Sequence, residues 1–313
     1  MERNSLPYRA KLFLKSVVNL QEKYILYHYT SLEGLLGIIN SQSIWASHSE
    51  YLNDSSEYRH ALDYAKRHAG IIYMEDDYLN GFAWVLNKAL KNMQDSHIYI
   101  SSFSEIPDLL GQWRGYCPKG EGVCIGFNKE LLEQFCLKNE LIIEKCIYNH
   151  NKQEDKISKF INETLKKFPK LDLTRTQYEE SSSKVQCDFE IDSHLFLSEG
   201  KGKASADKAL SELCSSLKEL APYMKNQTFK EESEWRIIAK DPEKDIQFRT
   251  AVSHYIPYII LPILKENKEI ISEIIIGPNA NEERSINSIQ LLLEKYKMNN
   301  VVIKKSHVPL NSW

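Results

Sequence analysis

The chain has 313 residues, with 40 lysines and arginines against 43 aspartates and glutamates and a net charge of −3, so it has no general electrostatic drive toward nucleic acid or anionic lipid. Its 42% hydrophobic content is ample for a packed core, and no apolar run reaches the roughly 18 residues of a membrane span; the longest, Tyr255 to Leu264, is interrupted by Pro257 and Pro262. The start, Met1-Glu2-Arg3-Asn4-Ser5, lacks a signal-peptide apolar core, and the six cysteines form no C-x-x-C pair. These features predict a cytoplasmic chain with reduced thiols, no membrane partner and no metal.

An amphipathic helix is expected from about Tyr8 to Glu22. Tyr24-Ile25-Leu26-Tyr27 then reads as a strand, and Thr30-Ser31-Leu32-Glu33 as a capping box opening a helix to about Ser41. Ile44-Trp45-Ala46-Ser47 reads as a short strand. Asn53-Asp54 with Glu57 caps a helix to about His68, and another helix spans Asp77 to Met93.

A strand-rich block follows, with strands at Ile98–Phe103, Gly122–Phe127 and Leu141–Ile147 and with Trp113-Arg114-Gly115-Tyr116 as a loop or short helix. Residues 149–223 are charged and helix-favouring and read as a helical insertion in a single domain spanning 1–313. Strands return at Glu234–Ala239 and Ile270–Ile276, then a helix from Asn281 to Tyr296 and a last strand at Val301–Lys304. The fold class expected is α+β: mixed, mainly antiparallel sheets flanked by helices.

Three segments are candidates for chemistry. The first is Tyr27-His28-Tyr29-Thr30, where an imidazole at the end of an apolar strand can hydrogen-bond a sugar hydroxyl and tyrosines can stack on a heterocycle. The bland alternative is a satisfied core histidine. The second is Glu232-Ser233-Glu234-Trp235-Arg236, which as a strand places both carboxylates on one face and, if partly buried, raises at least one of their pKa values. Its alternative is a solvated edge strand with glutamates paired to Lys230 or Arg236. The third is Ser101-Ser102-Phe103-Ser104-Glu105, hydroxyls that let a ligand approach the backbone.

Helix capping suffices for Asn53, Asp54 and Glu57, and aromatic core packing for Trp113 and Tyr116. G-x-G-x-x-G, Walker, H-E-x-x-H and G-x-S-x-G motifs are absent. A cysteine nucleophile at Cys117 or Cys124, partnered by His28, is a third possibility.

Taken in order, Tyr27-His28-Tyr29-Thr30, Asn53-Asp54-x-x-Glu57, Phe103-Ser104-Glu105, Trp113-x-x-Tyr116, Gly122-x-Cys124-Ile125-Gly126-Phe127, Glu232-x-Glu234-Trp235-Arg236, Ile274–Pro278 and Lys305-Ser306 resemble the bacterial DUF2971 family. More distantly, the histidine strand with its helix and short following strand is similar to the first motif of ADP-ribosyltransferases. That similarity implies an ADP-ribosyltransferase-like fold and NAD as substrate, with His28 on the adenosine ribose and nicotinamide amide and Tyr29 and Thr30 beside it. Tyr99, Ser102, Phe103 and Ser104 stand where the superfamily has its serine-rich strand. Glu232 and Glu234 stand for its E-x-E motif, with Glu234 the catalytic carboxylate and Glu232 orienting or deprotonating an acceptor.

The activity so implied is cleavage of the nicotinamide–ribose bond and transfer of ADP-ribose, in a toxin or in defence against phage. The acceptor, whether protein, nucleic acid or small molecule, and the oligomeric state stay open. The rival is a non-catalytic module that binds a ligand or a protein.

Overall fold

A computed structural model describes residues 24–52, 61–68, 86, 89–90, 97–117, 122–169, 175–188, 199–240, 246–279 and 281–309. The helix expected at Tyr8–Glu22, the Asn53-Asp54-Glu57 cap and most of the Asp77–Met93 helix lie outside the described residues. What is described is mixed α+β, with mostly antiparallel strands, and it divides into two compact units.

The first unit holds residues 1–42, 105–137 and 262–313. Its strands β1 (Ile25–Ser31), β4 (Gly122–Asn128), β9 (Ile271–Ile276) and β10 (Val302–Lys305) pair in the order β1-β4-β9-β10, antiparallel except for the last pair. That parallel pair needs a crossover, which helix α6 (Glu282–Lys295) supplies.

Helix α1 (Leu32–Ser41) begins directly at the end of β1. Its N-cap is Ser31, whose hydroxyl accepts from Gly34 N at 3.0 Å, one residue later than the expected Thr30. A Cβ at Gly34 would sit 2.0 Å from Thr30 Oγ1, so only glycine lets the helix start so close to the strand. Helices α2 (Leu110–Tyr116) and α3 (Lys129–Lys138) complete the larger elements of this unit.

One buried cluster of this unit gathers Tyr27, Tyr29, Trp113, Cys117, Cys124 and Ile275. Period-two alternation puts Tyr27 and Tyr29 on the same face of β1, with Leu26, His28 and Thr30 on the other. Trp113 packs edge-on against Tyr29, with ring centroids 4.8 Å apart, and its indole N–H donates to Asp108 at 2.6 Å. The aromatic-core reading of Trp113 therefore holds.

The second unit holds residues 43–104 and 138–261. Strand β3 (Ile98–Ser104) pairs antiparallel with β2 (Ile44–His48) and with β6 (Glu234–Lys240). Beyond β6 lies β5 (Ile142–Lys145), and beyond β2 lie β8 (Tyr255–Leu261) and β7 (Gln247–Thr250), all antiparallel. The glutamate strand β6 is thus flanked on both sides and is not an edge strand, which overturns the solvated-edge alternative. The Tyr255–Leu264 run, too short for a membrane, supplies β8 with Ile256, Ile259 and Leu261 buried.

Helices α4 (His150–Lys167) and α5 (Lys203–Leu220) occupy much of the stretch read as helical. Asn149 caps α4 by accepting from Lys152 N at 3.0 Å. Ile157, Ile161 and Thr164, spaced four and three residues apart, belong to its buried stripe, and Ile157 and Ile161 pack in one cluster with Leu210, Leu213 and Leu217 of α5. Burial of each such aliphatic side chain contributes about 1.5–3 kcal/mol, which is what holds so highly charged a helix to its neighbour. Among the described residues, no helix is long and apolar enough to cross a membrane.

Candidate functional site

The serine strand and the glutamate strand are direct neighbours. In the β3–β6 ladder Ser104 faces Glu234, Phe103 faces Trp235 and Ser102 faces Arg236. Ser102 and Ser104 therefore share a face with Arg236 and Glu234, and alternation turns Tyr99 and Phe103 to the opposite face. There Tyr99 is buried edge-on to His48, with ring centroids 5.2 Å apart.

Glu232 and Glu234 do not share a strand. Residues Gln227–Glu232 form a 3-10 helix capped by Asn226, whose side chain accepts from Thr228 N at 3.0 Å, and β6 begins only at Glu234. Between them Ser233 takes a left-handed conformation with φ 42°, a choice costing of order 1 kcal/mol in a non-glycine residue. The expected two-residue strand spacing is replaced by a kink. Ser104 Oγ donates to Glu232 O at 2.7 Å and ties that kink to the serine strand.

The two carboxylates meet at Lys225. Its Nζ donates to Glu232 Oε2 at 2.6 Å and to Glu234 Oε2 at 2.5 Å. Arg236 adds a fork from the same strand, Nε to Glu234 Oε1 at 2.8 Å and Nη2 to Glu234 Oε2 at 3.0 Å, while its Nη1 donates to Pro222 O at 2.7 Å. The Cys146 thiol points at Glu234 Oε2 from 3.8 Å, and Glu234 N donates to the Tyr148 hydroxyl at 2.8 Å. Lys225, Glu234 and Arg236 are each at most 6% exposed, whereas the Glu232 side chain is 18% exposed.

These partners reverse the expected titration. Burial pushes the Glu234 carboxyl up, but Arg236 and Lys225 outweigh it and hold it down at about 2. Burial likewise works against the Lys225 ammonium, yet Glu234 and Glu232 hold its pKa above the ordinary lysine value. Two carboxylates one residue apart raise each other only when no cation lies between them; here there are two cations. The expected partner Lys230 is not among them, and Lys225 takes its place.

His28 sits half-buried on β1, opposite Ile125. Tyr29 is committed to the core, its hydroxyl donating to Ile106 O at 2.8 Å and accepting from Leu109 N at 2.9 Å. Thr30 is half-buried, and its carbonyl accepts the Cys117 thiol at 3.3 Å. The cysteine-nucleophile reading fails on chemistry. Burial pushes the Cys117 thiol up to about 12 and raises Cys124 further, so neither is a thiolate near neutral pH.

Reading the sequence missed Lys225, Cys146, Tyr148 and Asp108. Lys225 lies in Pro222-Tyr223-Met224-Lys225-Asn226, where no spacing or periodicity marks it. Asp108 accepts from Trp113 Nε1, from Ser306 Oγ and from His307 N, each at 2.6 Å, and binds the segment after β10 to the α2 approach.

Residues 112–237 match the family described as Protein of unknown function (DUF2971). Over this segment, less than half of the chain, the sequence is similar to DUF2971. The matched stretch includes Trp113, Gly122–Phe127, Lys225 and Glu232–Arg236, so apart from Ser104 the whole ion-pair cluster is part of the DUF2971 segment. No curated protein and no solved structure matches the chain.

Proposed function

We propose that this chain is an NAD-dependent, ADP-ribosyltransferase-like enzyme with an ADP-ribosyltransferase-like fold. The observation that carries the reading is the register pairing of Ser104 with Glu234, reinforced by the Ser104 hydroxyl on Glu232 O: the serine-rich and E-x-E segments meet as adjacent strands. The order of elements agrees, with a histidine strand running directly into a capped helix and a short strand ahead of both.

In this reading the bond between ribose C1′ and the nicotinamide nitrogen breaks, its electron pair leaves with neutral nicotinamide, and positive charge develops on the ribose. Ionised Glu234 accepts a hydrogen bond from the 2′-hydroxyl and stabilises that charge. Glu232, the more exposed carboxylate, takes the proton released when an acceptor attacks C1′. Arg236 fixes the Glu234 carboxylate in one orientation and keeps it ionised at any physiological pH. His28, Tyr29 and Thr30 serve the nucleotide, with Tyr29 acting from within the core. Tyr99 and Phe103 support Ser102 and Ser104 from the far face of β3.

The same reading takes residues 149–223 as a helical insertion in a single domain, the protein as cytoplasmic, and its acceptor as protein, nucleic acid or small molecule, in toxicity or defence. A second reading has an observation of its own: both Glu234 oxygens are occupied by Lys225 and Arg236, as in a structural clamp of a non-catalytic binding module. Nicotinamide release by the purified chain, compared with Glu234→Gln, separates the two. The enzyme loses release on substitution, and the module never releases nicotinamide.

A further inference from the structure

The function proposed above uses Glu232 and Glu234 and gives no task to Lys225, the group bound to both. The geometry points to Lys225 as a displaceable internal counter-ion, whose ammonium holds the place between Glu232 and Glu234 that the cationic nicotinamide riboside of oxidised NAD takes on binding. The inference rests on the NAD reading and names what that site selects: a positively charged riboside, in preference to its neutral reduced form.

Of the two cations on Glu234, only Lys225 is built to leave. Arg236 is held at three nitrogens, two on Glu234 and one on Pro222 O, by a planar fork fixed within a central strand. Lys225 makes point contacts through one nitrogen at the end of a flexible four-carbon stem. Its backbone, by contrast, is anchored: the amide donates to Ile147 O at 3.1 Å and the carbonyl accepts from Gln153 Nε2 at 3.0 Å. The side chain can therefore swing without moving the segment that carries it.

The direction of the swing is also set. Glu232 is the more exposed of the two carboxylates, and the Phe229 ring lies 5.1 Å from the Lys225 ammonium. An aromatic face is a second resting place for an ammonium that has left its carboxylates.

Charge explains why a cation must replace it. Lys225 and Arg236 balance Glu232 and Glu234, so removing the ammonium alone leaves one uncompensated negative charge in a nearly dry cluster, which is unfavourable unless another positive group arrives. Oxidised NAD carries that charge on its pyridinium ring and, as the glycosidic bond breaks, on the ribose. Reduced NAD carries neither.

The test labels the full-length protein briefly with an amine-acylating reagent and reads Lys225 by mass spectrometry, alone, with oxidised NAD and with reduced NAD. The expected result is that oxidised NAD raises Lys225 labelling about tenfold and reduced NAD leaves it within about twofold of the free protein. Lys225→Met, which keeps the stem and removes the competitor, is expected to bind oxidised NAD about tenfold more tightly with reduced NAD unchanged. Should that variant not fold, the wild-type labelling decides alone. Binding of oxidised NAD with Lys225 labelling unchanged overturns this inference and leaves the proposed function standing. Failure of either form of the protein to bind oxidised NAD overturns both.

Discussion

Arg236 grips Glu234 from two residues along the same strand, Nε on Oε1 at 2.8 Å and Nη2 on Oε2 at 3.0 Å. A forked contact of this kind, with both partners buried, fixes a carboxylate in charge and in orientation. It also makes each partner costly to remove.

Glu234→Ala is expected to destabilise the fold by about 3–5 kcal/mol, because it leaves Lys225 and Arg236 buried with one carboxylate between them. Glu234→Gln keeps the shape and one acceptor oxygen and should cost less. Urea denaturation measures both. A loss below about 1 kcal/mol for the alanine variant would show the pair to be solvated in the manner of a surface bridge.

The acid limb of stability should carry the signature of Glu234. Its folded pKa of about 2 lies below the ordinary 4.5, so its contribution is complete above about 4.5 and is lost as the pH falls toward 2. Lys225, raised in the folded state, gives the opposite limb: its contribution is present below 10.5 and declines only as the pH rises through its higher folded value. Denaturant titrations at pH 5, 4 and 3, run on wild type and Glu234→Gln, should show a steeper acid loss in the wild type; parallel curves would count against the network.

Asp108→Ala should release the segment after β10. It removes the acceptor for the Trp113 indole, the Ser306 hydroxyl and the His307 amide, and stranding the buried indole N–H alone costs about 1–3 kcal/mol. Hydrogen exchange at His307 is expected to accelerate well beyond that of the β9 amides. Unchanged protection at His307 would mean that the β9–β10 pairing holds this segment unaided.

Thiol chemistry should follow burial. Brief alkylation of the native chain at pH 8 is expected to modify exposed Cys187 and to spare Cys117, Cys124, Cys136 and Cys146, which are buried. Early modification of Cys117, whose pKa is pushed up to about 12, would reopen the nucleophile reading.

Most strands were legible in the sequence because apolar and branched residues cluster in them: Ile98–Ser104, Gly122–Asn128 and Ile271–Ile276 all stand near their expected bounds. Strands β7 and β8 and helix α3 were not read. β7 is exposed at all four positions, so no buried face betrays it, and the prolines in and after β8 argued against regular structure. At the site, the segments themselves were legible, but the pairing of Ser104 with Glu234 is a long-range register that segment order does not set, and the kink at Ser233 leaves no mark either, since serine gives no hint of a positive φ.

Lys225 illustrates what periodicity cannot deliver. A partner nine residues before Glu234, placed by two short 3-10 turns, reverses the sign of the carboxylate's shift without leaving a pattern in the chain.

The central claim is that Glu234 works on the nicotinamide–ribose bond, and the most direct measurement is nicotinamide release from NAD by the purified full-length chain, wild type against Glu234→Gln, with folding of both checked by denaturation. Release by the wild type is expected, with a loss of about a hundredfold or more in the folded variant. Release that persists undiminished in folded Glu234→Gln, or no release from the wild type with any acceptor, would contradict it.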